Sequence, residues 1–208
     1  MTNINSSTKT LSKAKIHIND EFYTKYETVE DEVRRWMSQN VFKDKIILMP
    51  CDTPESKFVE FFLDNYNKLN YKKLVITHYD INVKSLFSKY NTGKYWIYEK
   101  DNLIDHGCLD GSGDFRSLEI QKIFEISDMV VTNPPFSLIK ELQKQCIDYG
   151  LDYLLICSMW NISNTLLSNL KKSDMFSINP IKFSKFDIGG GGDGNYFLFY
   201  FKSISHTK

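Results

Sequence analysis

Short apolar runs and amphipathic stretches alternate along this chain, and that alternation leaves few architectures open. Lys45–Met49 is an apolar run ended by Pro50, and Leu74–Tyr79, Tyr95–Glu99, Asp128–Thr132 and Tyr153–Cys157 follow in the same style. Continuous apolar runs of this length mark strands covered on both faces. Between them, Glu27–Gln39 places Val29, Val33, Trp36 and Met37 on one helical face. Pro54-Glu55-Ser56 opens a helical segment carrying Phe58, Phe61, Phe62, Leu63 and Tyr66, proline being well tolerated at a helix start. Further helices are expected over Ser117–Glu125, Leu138–Tyr149 and Ser163–Leu170, with Gly107–Asp114 as a turn-rich loop. The glycine-rich turn Gly189–Gly194 before Tyr196–Phe201 predicts a closing antiparallel pair. The pattern therefore predicts an α/β fold: a Rossmann-like, doubly wound, mostly parallel sheet with an antiparallel C-terminal hairpin. Residues 1–18 read as a flexible arm and 19–208 as one domain.

Sheets of this kind bind ligands beyond the carboxyl ends of their strands. That rule ranks the residues: Pro50, Asp52, Asp80 and Asn133–Phe136 all follow strands. Asp80 stands where such sheets often place an acid for ribose hydroxyls, and an exposed loop carboxylate accounts for it equally well.

Composition narrows the partners. The chain holds 26 basic and 26 acidic residues, and only Arg34, Arg35 and Arg116 are arginines. Proteins that hold duplex DNA by themselves draw much of their affinity from phosphate contacts, and arginine is the favoured reader of guanine. A self-sufficient sequence reader is disfavoured, while a catalytic core is not. Cys51, Cys108, Cys146 and Cys157 show no zinc-like spacing, and the polar N-terminus is unlike a secretory signal. We therefore expect reduced thiols, no metal, no membrane span and a cytoplasmic setting.

The chemistry concentrates in Asp128-Met-Val-Val-Thr-Asn-Pro-Pro-Phe-Ser137. A β-branched strand runs into Asn133, after which Pro134 and Pro135 stiffen the turn and donate no hydrogen bonds. The Asn133 side-chain oxygen and the Pro134 carbonyl are placed to accept both hydrogens of a planar amine. Its lone pair then turns towards a methyl donor, and the proton leaves after attack. Phe136 offers a face for a base extracted from its stack.

These residues resemble the (D/N)-P-P-(Y/F/W) motif of amino-methyltransferases. Three further stretches resemble the EcoRI-type adenine-specific DNA methyltransferases: Asn19-Asp-Glu-Phe-Tyr-Thr-Lys-Tyr-Glu27, Ile47-Leu-Met-Pro-Cys-Asp-Thr-Pro-Glu-Ser56 and Gly113-Asp-Phe-Arg-Ser117. The resemblance implies a class I methyltransferase domain using S-adenosylmethionine, with adenine in DNA as substrate and restriction-modification as setting. It places Phe22, Tyr23 and Thr24 at the methionine end of the cofactor. Pro50 and Asp52 fall in the first motif, where Asp52 would hold the ammonium group. Asp114 and Phe115 would hold the adenine moiety. Helix capping by Asp52 and turn closure by Asp114 are the competing structural accounts. The first motif has no G-x-G turn here, as in the EcoRI type. Members of that type continue into a target-recognition region, so a partner subunit or second copy is expected to supply recognition. Adenine in RNA and glutamine in protein are the alternative acceptors, and a non-catalytic cofactor-binding subunit is the alternative role.

Overall fold

The computed structural model describes residues 23–80, 92–158, 176–181, 186–187 and 196–201. Its first helix, α1 (Tyr26–Met37), forms because Val29, Val33 and Trp36 recur at helical spacing and all three are buried. Glu27 in its first turn and Arg34 and Arg35 in its last complement the helix dipole. The chain then alternates: β2 (Ile46–Met49), α2 (Lys57–Asp64), α3 (Tyr66–Leu69) and β3 (Lys73–His78). A hairpin follows, β4 (Lys94–Glu99) and β5 (Asn102–Cys108), then α4 (Leu118–Ile126), β6 (Met129–Thr132), α5 (Ile139–Asp148) and β7 (Asp152–Ser158). The remaining strands are β8 (Phe176–Ile181), β9 (Phe186–Asp187) and β10 (Tyr196–Phe201), while β1 (Tyr23–Thr24) precedes α1.

Eight strands form one sheet in the order β5-β4-β3-β2-β6-β7-β10-β8. The four central strands, β3, β2, β6 and β7, run parallel. Antiparallel pairs flank them on both sides: β3 with β4 and β4 with β5, then β7 with β10 and β10 with β8. A separate two-stranded pairing joins β1 to β9, with Tyr23 opposite Asp187 and Thr24 opposite Phe186.

The pleat divides the core in two. Ile47, Met49, Leu74, Ile76, Met129, Val131, Leu154 and Ile156 pack with Val29, Val33 and Trp36 of α1 and Phe58, Phe61 and Phe62 of α2. Leu48, Val75, Val130, Tyr153 and Leu155 point the other way, onto Ile120 and Phe124 of α4 and Ile139, Leu142 and Cys146 of α5. Successive residues of every central strand thus serve opposite faces, as strand geometry requires, and helices cover both. At the amino ends of the strands, Lys45 pairs with Asp152 and Asp128 Oδ2 accepts the Ile46 N–H at 2.8 Å. That end is pinned by structural contacts.

The expected doubly wound sheet with a terminal antiparallel pair is present. Two features differ from the sequence reading. The third strand, β4, runs antiparallel, and Gly107 and Cys108 belong to β5 rather than to a loop. Residues 102–106 and Cys108 are exposed and Gly107 is half-buried, so β5 carries no apolar face to mark it. The arm over residues 1–18, the helix expected over Ser163–Leu170 and the turn Gly189–Gly194 lie outside the described residues.

Candidate active site

From β2 the chain moves outward to β3 on one side, and it later returns to β6 on the other. The carboxyl ends of β2 and β6 therefore flank the point where strand order reverses, the place where such sheets open a binding crevice. Pro50-Cys51-Asp52 leaves the first strand and Asn133-Pro134-Pro135-Phe136 leaves the second.

A hydrogen bond spans this point. Asp52 is buried, Thr132 Oγ1 donates to its Oδ2 at 2.6 Å, and Ser56 Oγ donates to its Oδ1 at 2.5 Å. Burial pushes the Asp52 carboxyl up to about 6, against the two hydroxyl hydrogen bonds, which favour the charged form. Ser56 is the residue before α2, so Asp52 braces the start of that helix through its side chain rather than by capping a backbone amide. Pro50 is buried too, and its carbonyl accepts from Thr77 Oγ1 at 3.5 Å, which ties the end of β2 to β3.

On the β6 side, Asn133 and Phe136 are half-buried and Pro134 is buried. Phe136 leans on the core layer that α1 and α2 cover. The Leu138 N–H donates to the Pro135 carbonyl at 2.9 Å, closing the turn that feeds α5. Thr132 precedes Asn133 directly, so the turn begins at the atom group that grips Asp52.

A second cluster lies beyond β3. The Asp80 N–H donates to the Ser112 carbonyl at 3.3 Å, the Gly93 N–H to Gly111 at 2.8 Å, and the Leu109 N–H to Gly93 at 2.8 Å. These bonds lay residues 109–114 alongside the end of β3 and bring Asp80 and Asp114 into one neighbourhood. Gly113, at φ +80°, makes the approach possible: a Cβ there would meet the His78 carbonyl oxygen at 2.3 Å. Gly113→Ala adds both the left-handed strain and a clash with backbone that cannot step aside. We expect a loss of at least about 2 kcal/mol in urea unfolding, within the range of strained and overpacked substitutions; an unchanged midpoint would show that the loop is not seated as described.

Asp114 Oδ1 accepts the Arg116 N–H and Nε, each at 2.9 Å, and Oδ2 accepts Arg116 Nη2 at 2.6 Å. Those hydrogen bonds hold the Asp114 carboxyl below its ordinary range. The turn-closing role is thus real. Among the described residues it uses three of roughly four acceptor positions on the carboxylate. The Phe115 ring is buried in the core layer under α4 and α5, and its carbonyl accepts from Gln145 Nε2 at 3.0 Å. Tyr23 and Thr24 are seen through their backbone pairing, and Phe22 lies outside the described residues.

Thr132, Ser56 and Gln145 were not among the residues singled out from sequence. The spacing of Asp52 and Ser56, four apart at a helix start, is a signal that was there to read. A buried hydroxyl at the end of an otherwise apolar strand is the other, since Thr132 is fully buried. Among the described residues no cluster of three His, Cys, Asp or Glu side chains could hold a metal, and no helix is long and apolar enough to cross a membrane.

The strand order, with an N-P-P-F turn and a buried carboxylate at the carboxyl ends of neighbouring strands where that order reverses, is the layout of a class I methyltransferase domain. The family model described as adenine-specific methyltransferase EcoRI matches residues 10–186, and the chain belongs to that family. It is 36% identical over 180 residues to the type II methyltransferase M.EcoRI of Escherichia coli, a match covering 82% of this chain and 55% of that protein. It is 33% identical over 146 residues to M.MgeORF184P of Mycoplasma genitalium, covering 70% of this chain and 43% of the relative. M.MpnI of Mycoplasma pneumoniae is likewise 33% identical over 146 residues, with 70% and 42% covered. The chain spans about half the length of the curated relatives it matches. No solved structure matches.

Proposed function

We propose that this domain transfers a methyl group from S-adenosylmethionine to the exocyclic amine of adenine in DNA. The observation that carries the reading is the 2.6 Å bond between Thr132 and Asp52, which sets a buried carboxylate beside the Asn133–Phe136 turn. The only polar contacts on Asp52 among the described residues are neutral hydroxyls. A buried carboxylate is costly without a countercharge, and the cofactor's ammonium group is a cation of the right kind. Asp80 and Asp114 suit ribose hydroxyls and an adenine amine, while Phe115 backs that pocket from within the core. Phe22, Tyr23, Thr24 and Pro50 complete the set by family resemblance.

When bound, the cofactor supplies an electrophilic methyl group on a sulfonium. The protein's part is placement. Asn133 Oδ1 and the Pro134 carbonyl accept the two amine hydrogens, Pro135 keeps the turn stiff, and Phe136 stacks on the base. No side chain of strong basicity is required, because the proton departs from a nitrogen already made cationic by methylation. Setting the acceptor this way converts binding into orientation, which is where such reactions gain most.

Incubation with tritiated cofactor and duplex DNA, RNA or protein extract tests the acceptor. Label in DNA that digests to N6-methyladenine supports the reading; label confined to RNA or protein replaces it with one of the alternatives. Neutral net charge supports the further proposal that a partner subunit or second copy brings the domain to its target.

A further inference from the structure

We propose that Thr132 is a positioning residue of the transfer reaction: its hydroxyl holds the Asp52 carboxylate in register with the turn that takes the acceptor amine. The inference rests on the cofactor reading above and adds a residue to it. Thr132 is the last residue of β6 and Asn133 is the next, so any displacement of the donor-side carboxylate passes through one peptide unit to the acceptor side. Both partners are buried, and a hydroxyl aimed at a carboxylate in such surroundings is worth far more than one in water. A threonine here is otherwise out of place, because the three preceding strand residues, Met129, Val130 and Val131, are wholly apolar and wholly buried.

The groups that act on Asp52 are Ser56 at the start of α2, Thr132 at the end of β6, and the low-polarity surroundings. Each hydroxyl favours the ionised carboxylate and burial opposes it. Removing one hydroxyl moves Asp52 further towards its protonated form, which has no charge to offer an ammonium group. Cofactor affinity then depends on pH in a way that reports directly on the Thr132 bond.

The test measures cofactor binding by calorimetry from pH 5 to 7.5 for the wild type, Thr132→Val and Thr132→Ser. Wild-type affinity should rise with pH through about 6, where Asp52 ionises. Thr132→Val keeps the shape and deletes the donor; its midpoint should move up by about one pH unit, weakening binding several-fold at pH 6.5. Thr132→Ser should return the midpoint to within a few tenths of a unit. Thr132→Cys, near in volume with a much weaker donor, should shift it the same way by less, and it carries the test if the valine variant does not fold. Single-turnover methylation at saturating cofactor should fall about tenfold in Thr132→Val and recover in Thr132→Ser. A purely structural lesion would lower thermal stability and leave the midpoint in place. Binding by all variants with an unmoved midpoint overturns the role of Thr132 alone. A wild type that binds no cofactor overturns the cofactor reading, and this inference with it.

Discussion

Asn133→Ala is expected to reduce methyl transfer by at least about a hundredfold while changing cofactor affinity by no more than about twofold. The asymmetry follows from where the residue stands. Asn133 follows β6, and in the proposed reaction it stands on the acceptor side, while the carboxylate proposed to hold the cofactor is gripped by its neighbour Thr132. In that reaction its amide oxygen would act on an amine whose charge rises as the methyl group arrives, so the interaction would strengthen in the transition state. Losing one such positioned acceptor costs on the order of a hundredfold to a thousandfold in turnover. The prolines that follow should keep the turn's backbone in place in the variant, so the loss is chemical rather than structural. Rapid-quench turnover and calorimetry on the same preparations decide it. Turnover within tenfold of the wild type would mean that the amine is held elsewhere, and a parallel loss of cofactor affinity would place Asn133 on the donor side instead.

How much of this site the sequence displays depends on burial. Strands β2, β3, β6 and β7 are read easily because both faces are covered, which forces apolar runs such as Ile46–Met49 and Met129–Thr132. β5 is invisible by the same logic: Leu103 and Ile104 are about half exposed, and no buried side imposes a pattern on Asn102–Cys108. The direction of β4 was also hidden. The return from β4 to β5 is equally unannounced, since Lys100 takes its left-handed φ of 60° without the glycine or asparagine that usually marks one. The turn Asn133–Phe136 could be singled out from sequence because its residues are consecutive. The bond from Thr132 to Asp52 was not, since it joins positions 80 apart that only the parallel pairing of β2 with β6 brings together.

Asp114 shows a different limit. Its glycine-rich surroundings read as a turn and the family resemblance implies a ligand for the adenine moiety, while its geometry serves the turn. A sequence motif names the residue without saying how many of its acceptor positions the fold has already used. Gly93 and Gly113 make the complementary point. Gly113 reads as part of a turn-rich loop, and only the assembled backbone reveals that Gly93 touches it, with a Cβ on Gly93 falling 2.5 Å from the Gly113 Cα.

Asp52→Asn is expected to weaken cofactor binding at least about a hundredfold at pH 8 and, in the same protein without cofactor, to raise stability. The two effects have one origin. Folding buries the Asp52 carboxyl and raises its pKa from 3.8 to about 6, so the folded protein prefers the protonated group. Below about pH 4 the group is protonated folded or unfolded, and burying it carries no charge penalty. As pH rises through about 6 the folded state must hold a buried charge, and the wild type loses stability relative to a neutral analogue. An upward shift of this size corresponds to about 2 to 3 kcal/mol at pH 8, an order-of-magnitude figure for so buried a group. Asparagine keeps the shape, lets the Ser56 and Thr132 hydroxyls pair with a neutral amide, and removes the charge. Urea unfolding of both proteins at pH 4 and pH 8 should therefore show a small difference at the lower pH and a clear advantage for the variant at the higher one. The stability is gained where the binding is lost, as expected of a charge kept in place for a ligand rather than for the fold. Equal stability at pH 8 would mean that the carboxylate is solvated after all, and retained affinity would mean that it does not face the cofactor.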